Sequence, residues 1–268
     1  MNAEAPTSLN LDAYLGRIDY QGPRVPSVAA LNAIHLAHAT RIPYENLDVL
    51  LGKPIRLDLP SIEAKLVLGG RGGYCFEQNK LLAVALRALG FSVELLAARV
   101  RYRYRITMPR THMVLLVTAE GKQYLADVGF GAYGLLLPVP FLAGAESRQH
   151  AWTFRLHNEP RLWVMQSRRE NTWEDLYAFS LDPQEMIDYE MANYYTSTHP
   201  DSRFVHTPTA QKMSTESRYL LRNRELLTDD GKIVTTRAVQ DEELLSLLAG
   251  TFDLHFPEGT VFSSPIPH

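Results

Sequence analysis

Gly69-Gly70-Arg71-Gly72-Gly73-Tyr74-Cys75-Phe76-Glu77-Gln78-Asn79 carries the only cysteine of the 268-residue chain. The pattern predicts a helix over residues 76–89, closed by Gly90, with a glycine-rich turn delivering the thiol to its start. Unpaired backbone N–H groups and the positive end of the helix dipole favour a thiolate there over a thiol. The same N–H groups can hold an oxyanion formed when the sulfur attacks a carbonyl. Glycines ahead of the thiol permit positive φ and close approach of a substrate. The competing reading is a buried structural cysteine, the commoner case for a lone cysteine in an arbitrary protein. Residues further along the chain reverse that preference.

On the N-terminal side of this run, residues 9–18 and 27–40 place apolar side chains at three- and four-residue spacing. Pro23, Pro26 and Pro43 punctuate them, and Ser61 can cap a third helix over 62–68. On the other side the period becomes two. Residues 93–106, 113–118 and 123–128 read as strands, with shorter ones at 151–156, 162–167 and 173–180. A helix over 183–195, a turn at 198–202, strands over 212–223 and 232–237, and an amphipathic helix over 241–248 follow. The expected class is α+β, divided as a helical part (1–90), a β-rich part (91–200) and a smaller mixed part (201–268).

Hydrophobic residues make up 46% of the chain and charged residues 21%, a composition that can bury a core. The net charge of −3 argues against nucleic acid held by bulk charge. A single cysteine excludes an internal disulfide and multi-cysteine zinc or iron–sulfur sites. No apolar run approaches the ~18 residues needed to span a bilayer. The first six residues lack the basic and apolar regions of a signal peptide. A reducing, cytoplasmic setting is the expectation, and it suits a free thiol.

A thiolate nucleophile needs a base, and the base needs a group to orient it. His112 opens the strand His112-Met113-Val114-Leu115-Leu116-Val117, and Asp127 lies late in the next. Glu120-Gly121 reads as a two-residue hairpin turn. If Ala119 pairs with Lys122, His112 faces Gly129, and Asp127 sits diagonally on the same sheet face, within reach. A slip of one residue would part them. Taken singly, His112 reads as a satisfied strand-end histidine and Asp127 as a turn or strand-end carboxylate.

These segments resemble the arylamine N-acetyltransferases. The resemblance rests on Arg71-Gly72-Gly73-Tyr74-Cys75-Phe76-Glu77, on Thr111-His112, and on Asp127-Val128-Gly129-Phe130-Gly131. It extends to Ile42-Pro43-Tyr44-Glu45-Asn46-Leu47, preceded by His35, and to Asn193-Tyr194-Tyr195-Thr196-Ser197-Thr198-His199-Pro200. Tyr44 stands where phenylalanine is common, and the last seventy residues match weakly. The resemblance implies an N-terminal helical bundle, a central β-barrel and a C-terminal α/β lid, with a Cys-His-Asp triad between the first two. It implies that Cys75 is the nucleophile, His112 its base and Asp127 the residue fixing the histidine tautomer. The implied reaction is ping-pong acetyl transfer from acetyl-CoA, as co-substrate, to an arylamine, hydrazine or N-hydroxyarylamine, with no metal. The alternatives are a triad-bearing amide synthase or thiol hydrolase, and a non-catalytic ligand-binding protein. The papain-type Cys-Gly-Ser/Ala-Cys signature is absent.

Within that resemblance Phe130 reads as a wall of the acceptor pocket, since aromatic faces hold flat aromatic substrates. The competing reading is a core phenylalanine beside a turn. Val100 and Phe204 are substrate-contact candidates by analogy, and Thr111 and Gly129 are candidates for CoA contact. Arg99-Val100-Arg101-Tyr102-Arg103-Tyr104-Arg105, taken as a strand, puts four arginines on one face. That face could attract CoA phosphates, although a solvated face is the commoner meaning of such a pattern. His35 and His38 share a helix face but lack companions for a metal. Arg71 could brace Glu45 or buried carbonyls, and the glycine run lacks the ending of a phosphate loop.

Overall fold

Capped helices open the computed structural model, which describes residues 8–264. The stretch read above for a leader, 1–6, lies outside the described residues, as do 7 and 265–268. Asn10 caps α1 (Leu11–Arg17) and Ser27 caps α2 (Val28–Arg41), each side chain accepting a backbone N–H of the first turn. β1 (Tyr44–Glu45) and α3 (Leu47–Leu50) follow. α4 (Leu59–Ile62) is capped by Asp58 and runs into a π-helical segment, Glu63–Leu68. Asp58, not Ser61, is thus the cap: the Ser61 N–H donates to Asp58 Oδ1 at 3.0 Å. Pro60 suits the first turn, where its missing N–H costs nothing.

α5 (Cys75–Ala88) starts at the cysteine, and Gly90 turns the chain away at φ 88°. Phe76, Leu81, Leu82 and Leu86 are all at most 1% exposed. Burying four such side chains contributes roughly 6–12 kcal/mol before entropy is counted. That anchors the helix far more firmly than any surface ion pair could. α5 packs on the first two strands of a large antiparallel sheet.

That sheet contains β2 (Ser92–Val100), β3 (His112–Ala119), β4 (Lys122–Ala126) and β5 (Val139–Pro140). It continues with β6 (Glu146–Gln149), β7 (Trp152–Glu159), β8 (Leu162–Arg169) and β9 (Thr172–Pro183). The order is β5-β4-β3-β2-β9-β8-β7-β6. The chain after β5 bridges to β7 through Ala143 and Leu156, so the eight strands form a nearly closed barrel.

α6 (Met186–Thr198) leads to a 3-10 turn, Arg203–Val205. Then come β10 (Thr209–Met213), β11 (Arg218–Arg222), β12 (Glu225–Asp229), β13 (Val234–Ala238) and α7 (Asp241–Phe252). β1 pairs with β10 at the edge of this second sheet, so a segment from before the cysteine completes a sheet built near the chain's end.

Two strand expectations are corrected. Residues 212–223 are not one strand but parts of β10 and β11, joined by a turn in which Ser214 Oγ accepts the N–H groups of Glu216 and Ser217. Residues 93–106 are a strand only to Val100. Beyond it the Arg101 and Tyr102 N–H groups both donate to the Leu176 carbonyl, and Arg103 adopts φ 63°. With the ladder ended at Val100 the four arginines do not share a strand face, and the Arg101 guanidinium meets Glu159 (2.7 Å) and Asp175 (3.0 Å).

Candidate active site

Tyr74 precedes the first turn of α5, and its N–H donates to Glu77 Oε2 at 3.0 Å. Glu77 also meets Lys65 (2.8 Å), which reaches Asp48 (3.0 Å). Asp48 meets Arg71 at 3.1 Å, and Arg71 holds Glu45 at 2.7 Å. Glu45 and Glu77 are buried, so each requires these cations. The glycine loop lies on this network. A Cβ on Gly72 would stand 2.0 Å from the Pro43 carbonyl oxygen, so no side chain fits there. The cysteine is thereby fixed from below by charge and from behind by helix packing.

His112 and Asp127 arrive by the hairpin. β3 and β4 pair from Leu115↔Ala126 to Ala119↔Lys122, the register read from the turn. Glu120 and Gly121 have φ of 50° and 72°, the two positive values that a primed turn requires. The ladder ends before His112 and Asp127, whose side chains meet beyond it, Nε2 to Oδ2 at 2.8 Å. Asp127 Oδ1 accepts from Asn79 Nδ2 and from the Gly129 N–H, both at 2.9 Å. Asn79, one turn along α5 from Cys75, also takes the Val128 N–H and donates to the Met113 carbonyl. The Asp127 N–H donates to His35 Nε2 at 3.1 Å, while His35 Nδ1 meets the Leu136 carbonyl.

Burial works against charge on both partners, and their pairing outweighs it. Asp127 is raised by burial but pulled lower still by His112, Asn79 and Gly129, so it ends below the usual carboxylate range. His112 is lowered by burial, but Asp127 chiefly, with a hydrogen bond to Cys75, pushes it up to about 10. Its Nε2 is taken by Asp127, which leaves the other ring nitrogen for the sulfur. In the thiol form Cys75 Sγ donates to the Thr111 carbonyl at 3.5 Å.

His35 and His38 behave oppositely. Burial lowers them to about 4 and about 3, so both are neutral near pH 7. His38 bridges Tyr14 (2.9 Å) and Gln78 (2.7 Å), a structural role and not metal ligation. Unfolding releases both to the ordinary value of about 6.5, so below that pH the unfolded chain takes up about two more protons. Stability should therefore fall as pH drops from about 6.5 towards 4. Urea midpoints across that range measure the slope, and a midpoint independent of pH there would refute the assignment.

Cys75, Val100, Thr111, His112, Gly129, Phe130 and Phe204 line one cleft. Asp127 lies behind His112, fully buried. The Phe130 ring stands edge-on to His112 at 5.3 Å, and Tyr177 packs on the same imidazole at 4.8 Å. Phe204 leans on Tyr74 at 5.5 Å. Gly129 has a packing role of its own, since a Cβ there would lie 2.5 Å from Cys75 Cα. Sequence reasoning gave no role to Asn79, Tyr177 or Tyr44, which lie beside the site. Asn79 alone left a signal, four residues after the cysteine on one helix face.

Among the described residues no group of three or more His, Cys, Asp or Glu is arranged to hold a metal ion. None of the described helices is long and apolar enough to cross a membrane.

A profile of the N-acetyltransferase family matches residues 27–261. The chain is 42% identical over 197 residues to "Arylamine N-acetyltransferase / N-hydroxyarylamine O-acetyltransferase" of Salmonella typhimurium, covering 73% of this chain and 70% of that one. It superposes on the crystal structure of the Nocardia farcinica arylamine N-acetyltransferase with a TM-score of 0.89 at 37% identity, covering 93% and 90% of the two chains. The Mycobacterium marinum arylamine N-acetyltransferase in complex with CoA gives 0.88 at 32% identity, over 91% and 92%.

Proposed function

This chain belongs to the arylamine N-acetyltransferase family, and on that footing we propose that it carries acetyl groups from acetyl-CoA to arylamines, arylhydrazines or N-hydroxyarylamines by a ping-pong route through Cys75. One observation carries the reading: a buried imidazole held between Asp127 and the sole cysteine sulfur. An imidazolium beside the sulfur favours the thiolate, the reactive form. Thiolate attack on the thioester carbonyl forms an S–acyl bond and breaks the bond to CoA, which departs as a thiolate and takes the proton of the His112 imidazolium, leaving that ring neutral. The exchange of one thioester for another is nearly isoenergetic, so the acetyl group stays activated. The acceptor nitrogen then attacks acetyl-Cys75, its proton passes to neutral His112, and the cysteine sulfur leaves as thiolate.

In this reading Asp127 orients the ring and sustains its charge. The Cys75 N–H at the start of α5 is the oxyanion donor. Phe130, with Val100 and Phe204, forms the acceptor wall, and Thr111 and Gly129 border the path of the pantetheine arm. The helical part, barrel and lid follow the divisions 1–90, 91–200 and 201–268, with the β1–β10 pairing tying first to third. A free nucleophilic thiol fits a reducing cytoplasm.

Mass spectrometry of the intact protein tests the proposal. Acetyl-CoA alone should add one acetyl group, located on Cys75, and an arylamine should remove it. An unlabelled protein would point to a binding module. Discharge by water as fast as by amine would point to a hydrolase.

A further inference from the structure

Three arginines from separate parts of the chain converge on the open side of the cleft. Arg203 lies in the 3-10 turn after α6, Arg222 ends β11, and Arg103 sits in the connection between β2 and β3. Arg203 and Arg222 line the cleft that holds Cys75. Arg222 and Tyr102 also line the adjoining cavity, whose outer wall includes Arg103. The cationic surface thus runs outward from the sulfur.

None of the three lies within ion-pair distance of a carboxylate among the described residues. The neighbouring Arg224 is answered by Asp241 at 2.5 Å. Asp201 and Glu225 border the two cavities without pairing with the trio. Arg222 Nε is buried with no hydrogen-bond partner. Burial lowers Arg222, and the nearby Arg203 and Arg103 lower it further. Arg203 hydrogen-bonds the Tyr44 hydroxyl and lies over the Phe204 ring at 5.1 Å, both neutral contacts. A folded protein gathers like charges and leaves a guanidinium N–H unanswered at a cost, which an anionic ligand can offset.

We propose that Arg103, Arg203 and Arg222 form the site for the phosphate groups of the acyl-CoA donor. The proposal rests on the transferase reading above and deepens it. Arg103 lines the adjoining cavity and not the cleft that holds Cys75, and the pantetheine arm likewise carries phosphates well away from the thioester. Guanidinium groups suit phosphate because their forked donors match its oxygens.

The test uses the full chain, two donors and direct binding. With Arg222→Gln and Arg203→Gln, KM for acetyl-CoA should rise about 10-fold or more each, by loss of charge-assisted hydrogen bonds. Arg103→Gln, at the exposed end, should give a smaller rise. KM for S-acetylpantetheine, which lacks the nucleotide and its diphosphate, should stay within about twofold, since no phosphate contact is lost. Calorimetric titration with CoA should show the same weakening without any turnover. Thermal midpoints of the variants should not fall, because repulsion is relieved. An equal KM rise with both donors, no rise with either, or a rise confined to a carboxylate-bearing arylamine would overturn the assignment. Acetylation of wild-type Cys75 by either donor is scored separately, so a failed arginine effect leaves the transferase reading standing. Conversely, arginine-dependent CoA binding without acetylation would count against the transferase reading alone.

Discussion

Cys75→Ser should leave turnover lower by on the order of a thousandfold or more while the protein stays folded. The hydroxyl is smaller than the thiol and meets the same surroundings, with 4% of the residue exposed, so packing barely changes. Chemistry changes completely. An imidazolium can stabilise a thiolate beside it, but a hydroxyl has a far higher pKa and stays protonated in the same field. Any acyl-serine formed would also be an ester, a poorer acyl donor to a weakly basic amine than a thioester. Single-turnover acetylation followed by mass spectrometry separates the two stages. Substantial multiple-turnover activity in the serine variant would sink the thiolate mechanism.

Asp127→Asn should reduce kcat by about 10³–10⁴, the size seen when a triad carboxylate is replaced by its amide. The local donors dictate why. Asn79 Nδ2 and the Gly129 N–H both point at Oδ1, so the new carboxamide must present its oxygen there. Its NH2 group then faces His112 Nε2, where the carboxylate oxygen lay at 2.8 Å. The ring must accept at Nε2 and carry its proton on the nitrogen facing the sulfur. That tautomer cannot take a proton from thiol or amine. The histidine, now held up to about 10 by the carboxylate, would also fall towards its ordinary value. Stability should drop by only about 1–3 kcal/mol, the cost of one compromised buried hydrogen bond. A rate loss no larger than the stability loss would remove Asp127 from its orienting role.

Much of this site was legible because its signals are local. A hairpin whose turn holds Glu120 and Gly121 fixes its own register, and that register brings His112 and Asp127 together without reference to any distant residue. The helix after Cys75 announced itself by apolar spacing and by Gly90. What failed was long-range. The strand ends at Val100, where the Arg101 and Tyr102 N–H groups converge on the Leu176 carbonyl, a partner far along the chain that periodicity cannot report. The alternation of Arg and Tyr after Val100 therefore mimicked a strand that does not continue. β1 and β5 are two residues each and exist only as pairing partners, too short for any pattern. β12 contains adjacent leucines between acidic ends, which hides a period of two. The arginine site was unreadable for the same reason. Its members lie on three elements, and the basic run that drew notice supplies just one of them.

The long connection between β2 and β3, and the turn after α6, contribute much of the cleft wall while forming no part of either sheet. Sheet positions resist change because neighbouring strands depend on them, whereas these stretches answer mainly to whatever enters the cleft. On the proposed reading, exchange of Tyr104 or Met108 would shift amine preference with the sulfur, imidazole and carboxylate left in place. Diversity within a lineage of such chains should accumulate on that rim, as changes of diet more than of machinery.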